Sequence, residues 1–77
     1  MYLTITIETQ DHTAFDMQVN EDQTIENVLK ILNQYAGCID DMENINFVQT
    51  MQTSNVISKY YTFKEAEVLN GDKLKIL

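Results

Sequence analysis

An α+β fold in which one sheet curls around one helix is predicted by three observations. Two runs of alternating apolar and polar residues open the chain, at residues 2–8 and 15–19. One stretch with helical spacing follows them, at residues 24–36. Shorter alternating runs then lead to a last strand-like segment at residues 73–77. A hairpin, a helix and further strands bury their apolar faces most economically when the sheet wraps the helix in a single two-layer core.

In the first run Leu3, Ile5 and Ile7 share one face, with Tyr2, Thr4, Thr6 and Glu8 on the other. Alternation of this kind marks a strand with one buried face. Residues 9–13 are polar and contain Asp11 and His12, which suits a hairpin loop. The second run places Phe15, Met17 and Val19 inward, with Asp16 and Gln18 outward. A short polar link between two such runs predicts an antiparallel hairpin.

The period then changes. Ile25, Val28, Leu29, Leu32, Tyr35 and Ala36 are spaced by three and four, the stripe of an amphipathic helix. Thr24 is placed to cap its first turn, where backbone N–H groups lack partners. Glu26 is favoured there by the helix dipole and lies four residues before Lys30. Gly37 suits the left-handed conformation that ends helices.

After an acidic connection at residues 38–44, Ile45 to Met51 reads as a strand with Ile45, Phe47 and Met51 inward. Val48 falls on its exposed side. Val56-Ile57 is a short fourth strand, and a turn of helix is expected near Thr62-Phe63-Lys64-Glu65. Asn70-Gly71-Asp72 is a turn signal before the final alternating run. The resulting order is strand, strand, helix, strand, short strand, strand; its ββαββ core, with the sheet curled around the helix, is that of a β-grasp fold.

Composition narrows the functions this chain can have. Seventy-seven residues make one domain, spanning residues 1–77. A domain of this size buries only roughly 60% of its unfolded surface, so its core is thin and deep catalytic clefts are hard to support. Twelve Asp and Glu against five Lys, with no Arg, give a net charge of −7. Nucleic acid and direct contact with an anionic membrane are disfavoured, because both need clustered cations. The single cysteine, Cys38, forms no intrachain disulfide, which fits a reducing cytoplasm. No apolar run approaches the ~20 residues needed to cross a bilayer.

Candidate chemistry is sparse, and no catalytic, cofactor or metal site is expected. His12 with Asp11 lacks a neighbouring nucleophile in sequence and reads as a solvated loop histidine. Cys38 stands beside Asp40, Asp41 and Glu43, which oppose rather than promote thiolate formation. Those same carboxylates lack the spacing and the central glycine of an EF-hand loop. More telling are Tyr60 and Tyr61. Neighbours in a strand-like segment face opposite ways, so one ring is expected in the core and the other exposed. Exposed tyrosines are favoured at protein interfaces. Tyr60, Tyr61 and Val48 are therefore the candidate interaction residues.

The placed elements resemble ubiquitin. Thr24-Ile25-Glu26-Asn27-Val28 reads as the start of the ubiquitin helix does, and Thr62-Phe63-Lys64-Glu65-Ala66-Glu67-Val68 is similar to the stretch before its last strand. A closer resemblance is to the YukD/EsaB family of bacterial ubiquitin-like proteins, associated with type VII (ESX/WXG100) secretion systems. It rests on the alternating first strand and on Gly71-Asp72-Lys73-Leu74-Lys75-Ile76-Leu77, which matches that family's closing motif. This resemblance implies a cytoplasmic regulator, not an enzyme, that binds a cytosolic domain of a membrane component of the secretion apparatus. Conjugation is not expected, because a Gly-Gly tail is missing after Leu77. The exposed sheet positions Thr4, Thr6, Asn46, Val48, Lys73 and Lys75 include one apolar residue, so ordinary ubiquitin receptors should not bind. Two other readings are a modifier or sulfur carrier that acquires its tail by processing, and a small self-associating domain.

Overall fold

The computed structural model describes residues 1–37 and 42–77. In order these form β1 (Tyr2–Glu8), β2 (Ala14–Asn20), α1 (Ile25–Ala36), a 3-10 turn (Met42–Asn44), β3 (Phe47–Thr50), β4 (Val56–Ser58) and β5 (Lys73–Ile76). The strands make one mixed sheet in the order β2-β1-β5-β3-β4. β1 pairs antiparallel with β2, placing Ile5 opposite Met17, and parallel with β5, placing Ile7 opposite Leu74. β3 pairs antiparallel with both β4 and β5.

The helix begins and ends where its sequence says it should. Thr24 Oγ1 accepts the Asn27 amide at 3.2 Å, and Gly37 takes φ 60 while donating its N–H to the Asn33 carbonyl at 2.8 Å. Ile25, Val28, Leu29 and Leu32 are buried and join Leu3, Ile5, Ile7 and Val19 in one apolar cluster. Tyr35 does not continue that stripe. It is 89% exposed, and Ala36 beside it is exposed as well.

The first hairpin closes through a tight polar loop. Thr9 donates its amide to the Thr13 carbonyl, and its hydroxyl donates to the Asp11 carboxylate. His12 adopts φ 68 in this loop. Its place there is conformational, since the left-handed region admits histidine more readily than β-branched residues.

β3 corrects the expected phase. Ile45 is buried, but it lies before the strand begins, and both Asn46 and Phe47 are exposed. Two successive outward residues reset the alternation, because the period of two holds only within the pleated strand. Val48 is consequently 0% exposed in the core, while Phe47 is 48% and Met51 47% exposed. Thr50 also turns inward, with its hydroxyl satisfied by Thr53 at 2.6 Å.

The segment between β4 and β5 is built from turns. Thr62 and Glu65 form a reciprocal capping box, each accepting the other's amide at 3.0 Å. Ala66 donates to the Thr62 carbonyl, Glu67 to Lys64 and Val68 to Phe63, so a single helical turn ends with Glu67 at φ 59. Phe63 is driven fully into the core by this turn. Gly71, at φ 89, donates to the Thr4 carbonyl at 2.7 Å, while Asn70 Oδ1 accepts the Thr4 amide. The turn thereby delivers β5 into the gap between β1 and β3, where Leu77 donates its amide to Phe47 at 3.3 Å.

Candidate protein-binding surface

Tyr60 and Tyr61 lie in the connection that leaves β4. This connection is not a strand. Tyr61 donates its amide to the Ser58 carbonyl at 3.2 Å, and the Tyr60 amide donates to Ser58 Oγ at 3.3 Å. The chain turns there, so both rings face outward, at 63% and 52% exposure, instead of one entering the core. The ring that enters the core is instead that of Phe63.

This connection is sewn onto the start of the helix. Glu26 and Ile25 donate their amides to the carbonyls of Lys59 and Tyr61, at 2.8 and 2.9 Å. Phe63 and Lys64 donate in turn to Gln23 and Glu21. First-turn amides of a helix lack intrahelical partners, and here the neighbouring chain supplies them. The segment that presents the tyrosines is therefore held by the fold at both ends.

Lys59 reinforces that junction. Its residue is 6% exposed, and Nζ lies 3.5 Å from Glu26 Oε2 and 5.2 Å from the centre of the Tyr60 ring. Glu26 Oε1 also meets Lys30 at 3.7 Å. A recess of 260 Å³ beside them is lined by Glu26, Lys30, Glu43 and Lys59, two acids against two lysines. Its charges answer one another, and it reads as a structural junction.

A larger, open depression of 460 Å³ runs beside β4. It is lined by Phe47, by Val56 and Ile57 of β4, by Tyr61 and by the turn residues Glu65, Ala66 and Glu67. Phe47, Val56 and Tyr61 are each about half exposed, at 48%, 56% and 52%. Three large, half-exposed side chains thus line one depression. Of the three sequence candidates, Tyr61 belongs to this surface. Tyr60 stands beside it against Lys59, and Val48 is buried beneath it.

Phe47 and Val56 were not read as surface residues from sequence. The available signal was Gln49, which shares the phase of Phe47 and would have been forced inward with it. His12 is exposed and engages no nucleophile. The Asp11 carboxyl is held below its usual range by the Thr9 hydroxyl and then by the Thr13 amide, so its interactions are those of a loop clasp. The expectations for Cys38, Asp40 and Asp41 lie outside the described residues. Among the described residues no three His, Cys, Asp or Glu side chains are grouped to hold a metal ion.

Known structures share this architecture. A protein designed de novo on the basis of ubiquitin matches with a TM-score of 0.78 at 22% identity, covering 99% of this chain and 87% of the design. The fold is ubiquitin-like. The solution structure of an N-terminal ubiquitin-like domain matches with a TM-score of 0.72 at 9% identity, covering 99% of this chain and 73% of that one. No protein-family profile and no curated protein matches the sequence. At these identities the likeness concerns the ubiquitin-like fold alone. Among the described residues, no helix is long and apolar enough to cross a membrane.

Proposed function

We propose that this ubiquitin-like domain is a non-conjugating adaptor or regulator of a bacterial type VII secretion system. It works in the cytoplasm by binding a cytosolic domain of a membrane component of that apparatus. The observation that carries the binding role is the gathering of Phe47, Val56 and Tyr61 around one open depression on a rigidly held edge of the sheet. Apolar side chains clustered on the surface of a small domain mark an interaction site, whereas the same residues scattered singly would need no explanation. The secretion assignment rests on the resemblance of residues 71–77 and of the first strand to the YukD/EsaB family.

Affinity purification from cells with detergent-solubilised membranes tests the assignment. A type VII membrane ATPase or another integral component of that apparatus should be recovered with the wild-type domain. Its recovery should fall when Tyr61 is changed to Ala. Absence of every secretion component from the eluate would remove the type VII assignment.

A further inference from the structure

The backbone register of β4 adds a feature to the depression beside it. Lys59 donates its amide to Asn46 and Thr50 donates to Asn55, so residues 55, 57 and 59 direct their backbone polar groups at β3. Successive residues of a strand point these groups to opposite sides. Val56 and Ser58 therefore direct theirs away from the sheet, along the wall of the depression. The Ser58 carbonyl is taken by Tyr61, which leaves the Val56 N–H and C=O and the Ser58 N–H facing outward. A sheet edge with outward donors and acceptors is a template for another strand.

The charge around that edge selects the strand. Glu65 and Glu67 line the depression as well, and no lysine does. The Glu65 carboxylate is kept ionised by its hydrogen bonds with Thr62, first to the amide and then to the hydroxyl. Of the five lysines, Lys30, Lys59 and Lys73 are already paired with Glu26, Glu26 and Glu8. An acidic or neutral strand gains nothing electrostatically here, and a second copy of this chain would bring a further net charge of −7.

The other free edge, β2, is less suited. Its outward residues Ala14, Asp16 and Gln18 bring no large exposed apolar side chain to anchor a strand, and both Asn20 backbone groups are covered by Gln23.

We infer that the outer edge of β4 receives an extended segment of a partner protein in which apolar residues alternate with Lys or Arg. Its backbone continues the sheet at Val56 and Ser58, its apolar side chains rest among Phe47, Val56 and Tyr61, and its cations reach Glu65 and Glu67. The inference rests on the protein-binding role proposed above and is independent of the type VII assignment.

The test uses the isotope-labelled domain and a displayed library of random nine-residue peptides. Enriched peptides should be cationic and alternating, and the best of them should shift the amide resonances of Val56, Ser58 and Tyr61. Val56→Pro removes one outward donor without touching the bonds to β3, and should weaken that peptide by about tenfold or more. Glu67→Gln leaves the backbone in place and should weaken it about two- to threefold at low salt, with the difference vanishing at high salt. Unchanged β1 and β2 resonances show that each variant is folded. If Val56→Pro fails to fold, the shift map and Glu67→Gln decide. Enrichment of acidic peptides, shifts confined to Ala14–Asn20, or dimerisation of the free domain through β4 would each overturn the inference. Cationic peptides bound at β4 with no secretion component in the purification would remove only the type VII assignment. A recovered component together with no peptide binding at β4 would remove only the present inference.

Discussion

Lys59 is 6% exposed, and the carboxylate it meets belongs to Glu26, whose side chain is 27% exposed. Removing one member of such a pair leaves the other partly desolvated, which costs more than replacing the cation with an apolar group of similar volume. Glu26→Ala is expected to destabilise the domain by about 1–2 kcal/mol, given the solvent that reaches Glu26, and Lys59→Met by less. Urea titration of both variants checks the order. Two left-handed positions make an opposite pair. A methyl group at Gly37 would meet no atom within 4 Å, so Gly37→Ala, at φ 60, should lose about 1 kcal/mol from backbone strain alone. Glu67, at φ 59, already bears that strain, so Glu67→Gly should raise stability by about 0.5 kcal/mol after the entropic cost of glycine. Thermal melts of the two variants should move in opposite directions.

β3 and the turn after β4 show how local order is set. On β3 the buried side chain is Val48 and the exposed one is Phe47. Val48→Ala should therefore cost about 2 kcal/mol, while Phe47→Ala should cost less than about 0.5 kcal/mol despite losing a larger side chain. Equal losses would mean that the strand has the other phase. In the Thr62 capping box the Glu65 carboxyl is held below the ordinary glutamate value of 4.5 by the Thr62 amide and then by the Thr62 hydroxyl. A carboxyl with a depressed folded-state pKa stabilises the fold above its unfolded value and loses that contribution as pH falls through the folded one. Acid titration of Glu65→Gln should be shallower than wild type below about pH 4.5, with the two converging once the wild-type carboxyl is protonated. The helix and both hairpin strands were legible in the sequence because each follows one unbroken period. The start of β3 was not, because two outward residues in succession break the count. The tyrosine pair was misread for a related reason, since hydrogen bonds to Ser58 turn the chain where a strand was assumed.

The molecule is organised around the position of β5, between β1 and β3. Sequence order alone gave the number of elements and the wrapping of a sheet around a helix, since each element's apolar face has to be buried somewhere. Strand adjacency came from the Asn70-Gly71-Asp72 turn docking on Thr4, a contact between residues 66 positions apart in the chain that no local pattern announces. The proposed binding surface was half legible. Tyr61 declared itself as a ring in a polar stretch, whereas Phe47 and Val56 take their meaning from strands that meet only in the folded state. A central β5 also orders events as the chain is synthesised. The β1–β2 hairpin and α1 emerge first, yet β1 lacks its second neighbour and β3 lacks its bridge until residues 73–76 leave the ribosome. Through that interval the two halves of the sheet lack the one strand that joins them.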